Sequence, residues 1–314
     1  MPCAMGVIGQ PVQGSDRLTD PQRSGKRCPV CGYEELRTLF PHIFPDKDSG
    51  GTREFELLVC LRCGLGFLDP QPSDEFLARE VYNESYPLYE SGWVGARASL
   101  QQQVYRTMFP HPLLQLIPKQ GGRALDVGCG SGYWMSRLRN LGWDMTGLDF
   151  TEKALSKVRS MGFAAISGSI ESVRLEEEAY DLILLSAVLE HLHDPLAALR
   201  NVWSALKPGG CAVIDVPNFG SAEVRIFQKD WSLFSVAHLF YFTEDALSRA
   251  LRKTRFVPEV FARRSSELTF GYSLARKMSA ERGNAMILLG SPFQFILNAL
   301  NQSGELFCRA RKPT

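Results

Sequence analysis

The stretch Ala124-Leu-Asp-Val-Gly-Cys-Gly-Ser-Gly132 decides how this chain is read. It passes from an apolar strand pattern into a glycine-rich loop and then into a helix pattern. Gly128, Gly130 and Gly132 let the backbone approach a ligand with no Cβ in the way. A loop of this kind alone fits any nucleotide-like ligand. Two acids narrow the choice. Asp126 stands just before the loop, where a carboxylate suits a cationic, amine-bearing ligand and repels a pyrophosphate. Asp149 ends the next strand pattern, 17 residues beyond Gly132. An acid at that place accepts hydrogen bonds from both hydroxyls of a ribose.

Outward from this stretch, the pattern alternates. Ala124–Val127, Asp144–Asp149, Ala164–Ser167, Tyr180–Ser186 and Cys211–Val216 read as strands, with helices over about Gly132–Leu141, Glu152–Met161 and Pro195–Leu206. Two further strand patterns, Val257–Ala262 and Glu305–Ala310, close the chain. Strands alternating with helices imply an α/β fold: a Rossmann-like, doubly wound, mostly parallel sheet with helices on both faces.

Asp126-Val-Gly-Cys-Gly-Ser-Gly132 resembles motif I of class I S-adenosylmethionine-dependent methyltransferases. Tyr180-Asp-Leu-Ile-Leu-Leu-Ser186 followed by Val188-Leu-Glu-His-Leu192 and Asp194-Pro195 resembles that family's fourth-strand motif, and Leu206-Lys-Pro-Gly-Gly210 its next element. The resemblance covers about Gly122 to Pro313. It implies a cofactor site in which Asp126 and the glycine loop hold the methionine end of S-adenosylmethionine and Asp149 holds the ribose. Phe150 would lie against the adenine, with Ser169, Ile170 and Ser186 completing the site. Ser169 stands where the family usually carries an Asp, so adenine recognition there falls to a hydroxyl or to the backbone.

Methyl transfer to a hydroxyl is helped by a general base, and histidine is matched to that task near neutral pH. Of five histidines, His191 follows the fourth strand pattern, at the carboxyl end where open α/β sheets bind ligands. His238 lies in Trp231-Ser-Leu-Phe-Ser-Val-Ala-His-Leu-Phe-Tyr-Phe-Thr243, which resembles a substrate-side segment of sugar-methylating relatives. Those relatives read Tyr-x-Glu-His, whereas Ser235 and Ala237 stand at the Tyr and Glu positions here. The expectation is O-methylation of a small-molecule acceptor, a sugar or secondary metabolite, with His191 or His238 as base or substrate contact. C- or N-methylation of a small molecule, or methylation of RNA or protein through a docking module, are the alternatives.

Eight cysteines divide by arrangement. Cys28-Pro-Val-Cys31-Gly and Cys60-Leu-Arg-Cys63-Gly are two CxxC knuckles, each followed by a glycine that permits a tight turn. Four thiolates on two such turns close a tetrahedral shell, which predicts one structural zinc. A similar CxxC segment before a tyrosine-rich helix occurs in the sugar and natural-product methyltransferases. Cys3, Cys129, Cys211 and Cys308 are isolated.

The expected organisation is a disordered leader over 1–27, a zinc-ribbon-like module over 28–69 and a helical cover over 70–120 bearing Tyr82, Tyr86, Tyr89 and Tyr105. A methyltransferase domain over 121–314 follows, with a helical insertion at about 263–303. Within that insertion Phe293, Ile296, Leu297 and Leu300 fall at i, i+3, i+4 and i+7, an apolar face predicted to cover the core, form a dimer contact or act as a lid or membrane rest. Net charge is +1, from 35 basic and 34 acidic residues, which gives no broad attraction to nucleic acid or to an anionic membrane. No run reads as a membrane span. A cytoplasmic location, where thiols stay reduced, is the expectation.

Overall fold

The computed structural model describes residues 26–45, 52–81, 111–264, 269–278, 292–294 and 296–314. Cys3, the leader and Tyr82, Tyr86, Tyr89 and Tyr105 lie outside the described residues.

The core of the fold is set by β4 (Gly122–Val127) and β7 (Tyr180–Ser186), which lie side by side and parallel. Leu182 to Leu185 are all fully buried, as a strand covered on both faces requires. The period of two separates them. Leu182 and Leu184 join the cluster of Met135, Leu138 and Val158, from α3 (Tyr133–Arg139) and α4 (Glu152–Ser160). Ile183 and Leu185 join the cluster of Leu199 and Val202, from α5 (Pro195–Ala205). Local signals start these helices: Asp194 caps α5 by accepting from the Ala197 N–H at 2.8 Å, with Pro195 at the first position.

With β5 (Trp143–Asp149), β6 (Ala164–Ser167), β8 (Leu206–Pro217), β10 (Val257–Ala262) and β11 (Glu305–Arg311), the seven-stranded sheet has the order β10-β11-β8-β7-β4-β5-β6. The strands β6, β5, β4, β7 and β8 are mutually parallel, and β11 and β10 are antiparallel. The chain winds outward from β4 to β5 and β6 on one side, then to β7 and β8 on the other. The gap between β4 and β7 is therefore the switch point at which ligands bind in such sheets.

The N-terminal cysteine region is a second sheet, β1 (Leu36–Pro45), β2 (Thr52–Cys60) and β3 (Gly66–Asp69). Its fourth strand, β9 (Phe240–Tyr241), comes from far along the chain: Gly66 pairs with Tyr241 and Phe67 with Phe240. The Thr243 hydroxyl donates to the Cys63 carbonyl at 2.7 Å and also caps α7 (Glu244–Lys253). Lys253 Nζ donates to the Val30 carbonyl at 3.0 Å. The cysteine region is thus joined to the substrate-side segment by backbone pairing. Within 70–120, the described helices are α1 (Asp74–Glu80) and α2 (Pro112–Leu116).

One sequence expectation is corrected. The residues 292–294 and 296–299 are helical. Their apolar stripe covers the core only in part: Leu297 packs against it and the Phe293 ring stacks on Phe270 at 5.4 Å, but Phe293, Ile296 and Leu300 are more than half exposed. The polar stripe is buried instead, because Gln294 and Asn298 have partners inside. Gln294 Nε2 donates to Glu223 Oε1 and Ser303 Oγ, both at 3.2 Å, and its Oε1 accepts from the Phe270 N–H at 2.7 Å.

A Cβ at Gly66 would stand 3.0 Å from the Phe219 ring and 3.2 Å from Tyr241 Cβ. Gly66→Val is expected to lower the urea midpoint by the equivalent of about 1–3 kcal/mol, by overpacking the β3–β9 junction. An unchanged midpoint would show that the junction is loose.

Candidate cofactor and acceptor site

At the switch point the glycine loop turns as its sequence requires. Gly128, Gly130 and Gly132 have φ of 64°, 49° and 76°, the left-handed region that strains other residues. A Cβ at Gly128 would stand 2.7 Å from Val188, so this glycine also lets the loop close onto the end of β7. Asp149 clamps the loop from β5. Its Oδ2 accepts from the Gly130 N–H at 3.1 Å, and its Oδ1 accepts from the Thr151 N–H at 2.9 Å and hydroxyl at 2.7 Å.

Asp126 is buried at the end of β4. Burial, and then the nearby Asp149 and Asp215 carboxylates, push its carboxyl up to about 8. A group so placed ionises readily only when a cation arrives. Phe150, by contrast, is 62% exposed beside Asp149. Ile170 is buried, and the Ser169 hydroxyl donates to Glu171 at 3.2 Å.

Ser186 at the end of β7 is fixed by two partners. Trp134 Nε1 donates to its hydroxyl at 3.1 Å, and that hydroxyl donates to Asp215 Oδ2 at 2.7 Å. Asp215 Oδ1 accepts from the Ala187 N–H at 3.0 Å and holds Ala187 at a φ of 53°. Burial pushes Asp215 up to about 6, against these hydrogen bonds. Asp215 was missed in the sequence reading. Its signal was an acid at the carboxyl end of the apolar run Cys211-Ala-Val-Ile-Asp-Val216.

The structure brings the two expected histidines together. The rings of His191 and His238 meet edge to face with centroids 4.7 Å apart, although 47 positions separate them. Each Nδ1 lies 2.8 Å from a backbone carbonyl, Ala237 for His191 and Leu233 for His238. A carbonyl can only accept, so each Nδ1 carries the proton and each neutral ring keeps its lone pair on Nε2. Glu190, also missed as a site residue, completes the cluster: one polar atom from each of the three groups lies within 4.8 Å of the others. Its Oε2 is buried without a hydrogen-bond partner. Burial raises the Glu190 carboxyl, lowers His191 to about 4, and lowers His238 further with help from His191. His193 is not part of this cluster; its nitrogens lie 3.0 Å from Gln71 and Asp74 oxygens and tie the β7 loop to α1.

The four knuckle cysteines also converge, with one sulfur from each within 4.8 Å of the others. Cys28 Sγ is 3.6 Å from Cys63 Sγ, and Cys31 Sγ is 3.5 Å from Cys60 Sγ. Both knuckles turn alike. The Gly32 N–H donates to the Cys28 carbonyl and the Gly64 N–H to the Cys60 carbonyl, and both glycines have φ near 70°.

Residues 100–258 match the family described as methyltransferase domain, which is just over half of the 314 residues. The chain belongs to this family. It carries a methyltransferase domain over those residues. The methyltransferase is 37% identical over 98 residues to the ubiquinone biosynthesis O-methyltransferase of Bordetella avium, covering 29% of this chain and 41% of that protein. To the enzyme of that name from Cereibacter sphaeroides it is 34% identical over 118 residues, covering 35% and 47%. The chain thus spans less than half the length of these curated relatives. Among solved structures it resembles a Haloferax volcanii methyltransferase in complex with the Trm112 activator, with a TM-score of 0.50, 16% identity, and coverage of 68% of this chain and 94% of that one. That likeness is one of fold. Among the described residues no helix is long and apolar enough to cross a membrane.

The raised Asp126 carboxyl has a consequence for the free protein. Its folded pKa lies above the unfolded value, so its contribution to stability is fully present below about 4 and is lost as pH rises toward 8. Asp126→Asn is therefore expected to melt higher than the parent at pH 8.5, with the difference narrowing at pH 5 and closing below about pH 4. Equal melting points at pH 8.5 would show that the carboxylate is not held against its charge.

Proposed function

We propose that the methyltransferase moves a methyl group from S-adenosylmethionine to a hydroxyl of a small-molecule acceptor, a sugar or other metabolite. The observation that carries this reading is the buried, neutral His191–His238 pair beside the cofactor cleft. Both rings have a fixed tautomer with a basic Nε2. The relatives named as O-methyltransferases support oxygen as the acceptor atom.

The residues fit the cofactor's charges. The Asp126 carboxylate is placed to meet the ammonium of the methionine end, and Gly128, Gly130 and Gly132 let the main chain come close. The Asp149 oxygens have lone pairs left for the ribose hydroxyls after their bonds to the loop. Phe150 offers its ring to the adenine, while Ser169 and the Ile170 backbone meet its polar edge. Ser186, fixed by Trp134 and Asp215, forms the floor under the reacting end. The bound cofactor supplies an electrophilic methyl on a sulfonium. His191, about a fifth exposed where His238 is buried, would take the acceptor's proton on Nε2. His238 orients it from the edge.

The cysteine cluster fits one structural zinc. Zinc–sulfur bonds of about 2.3 Å put the sulfurs of a tetrahedron about 3.8 Å apart, near the spacing seen. Four thiolates leave no open position, so the ion would hold β3 and its partner β9 in place and take no part in the chemistry. In this arrangement the chain divides into the cysteine module (28–69), the helical cover (70–120) and the catalytic domain (121–314).

Two experiments test these readings. Asp149→Ala is expected to weaken S-adenosylmethionine binding in calorimetry by about ten- to a hundredfold. His191→Ala should leave binding intact but lower kcat about a hundredfold on the acceptor found in a screen of sugar nucleotides and phenols. Because His191 is neutral down to about 4, kcat of the parent should stay level as pH falls from 8 to 5. A drop near pH 6.5, or a His191→Ala variant with full turnover, would remove the base assignment. Metal analysis of the purified protein should find about one zinc per chain, and Cys60→Ser should lose it and melt lower. Four cysteines with no metal would point to plain thiols.

A further inference from the structure

The helix over 292–299 is turned against the usual rule that the apolar stripe faces inward. Its orientation is fixed from inside. Glu223 Oε1, fully buried on the helix Ala222–Phe227, accepts from the Thr269 hydroxyl at 3.0 Å, from Gln294 Nε2 at 3.2 Å and from the Gly304 N–H at 3.0 Å. The Ser303 hydroxyl donates to Asn298 Oδ1. These buried bonds hold the polar stripe in, so Phe293, Ile296 and Leu300 point out with 54%, 51% and 64% of their surface exposed. Ile226 and Met278, on the two helices packed beside it, are exposed as well.

Cations flank these apolar groups. Arg225 reaches Gln302 Oε1 at 3.3 Å, in the turn just past Leu300, and Lys277 Nζ reaches the Ile226 carbonyl at 3.3 Å. Lys229, just past the helix that carries Arg225 and Ile226, is exposed. Among the described residues none of the three is in an ion pair. The run 283–304 carries no charge of either sign, and Glu223, the acid of the neighbouring helix, is buried in the network.

We propose that this face docks on an anionic lipid bilayer. An exposed apolar stripe next to lysine and arginine is the pattern of a helix that lies in a membrane interface, with the side chains among acyl chains and the cations at headgroup level. Self-association fits less well. A two-fold contact sets the same patch against itself, which would bring Arg225, Lys229 and Lys277 up against their own copies.

The test is sedimentation of the full chain with sucrose-loaded vesicles of phosphatidylcholine alone or with about a third phosphatidylglycerol. Binding is expected to be stronger on the anionic vesicles and to fall roughly fivefold for each cation removed, as in Lys277→Gln. Ile296→Glu with Leu300→Glu should abolish binding, while leaving the melting temperature and S-adenosylmethionine affinity unchanged, because both side chains are exposed. The milder Ile296→Ser with Leu300→Ser should show the same direction should the charged pair fold poorly. No sedimentation with either vesicle, or undiminished binding by the serine variant, would overturn the proposal. So would a dimer in light scattering that the same substitutions convert to a monomer.

Discussion

Strands β4 and β7 are buried on both faces, and the chain leaves their shared boundary in opposite directions. The rest of the molecule follows from that constraint. Apolar side chains above and below the sheet close both faces, so the open ground for a ligand is at the carboxyl ends, where the connections part. The glycine loop after β4 and the Ser186–Ala187 turn after β7 meet across this gap. Each is held by an acid from the neighbouring strand, Asp149 from β5 for the first and Asp215 from β8 for the second.

These acids give the cleft its character. Burial, and then the Asp149 and Asp215 carboxylates, raise the cost of charge on Asp126, and burial raises it on Asp215. Carboxylates arranged in this way are stable as anions when a positive ligand lies among them. The same logic applies in reverse to the histidine pair. Burial keeps both rings neutral, and the Ala237 and Leu233 carbonyls set the tautomer, so both lone pairs are held on Nε2.

The cysteine region acts through geometry. Its strand β3 pairs with β9, which begins two residues after His238, and the Leu239 N–H donates to the Glu190 carbonyl at 2.8 Å. One short stretch therefore carries His238, the link to the His191 loop and the edge that the cysteine sheet completes. The position of the histidine pair depends on a contact between parts of the chain about 175 residues apart in sequence.

What the sequence determined by itself is local. Runs of apolar residues bounded by glycine placed β4 to β8, and Asp194-Pro195 and Thr243 marked helix starts, because strand burial and capping depend on a few neighbouring residues. The glycine spacing and the two CxxC turns likewise carry their own backbone geometry. Tertiary structure decided the rest. Nothing near His191 or His238 in sequence shows that their rings touch, and nothing near Gly66 shows that Tyr241 is its strand partner. The helix over 292–299 is the clearest case. Its periodicity gives two stripes, and the sequence favours burying the apolar one. The buried Glu223 carboxyl and the Thr269, Gln294 and Gly304 groups that bond its Oε1 reverse the choice, because burying that acid without those bonds would cost more than leaving three apolar side chains exposed.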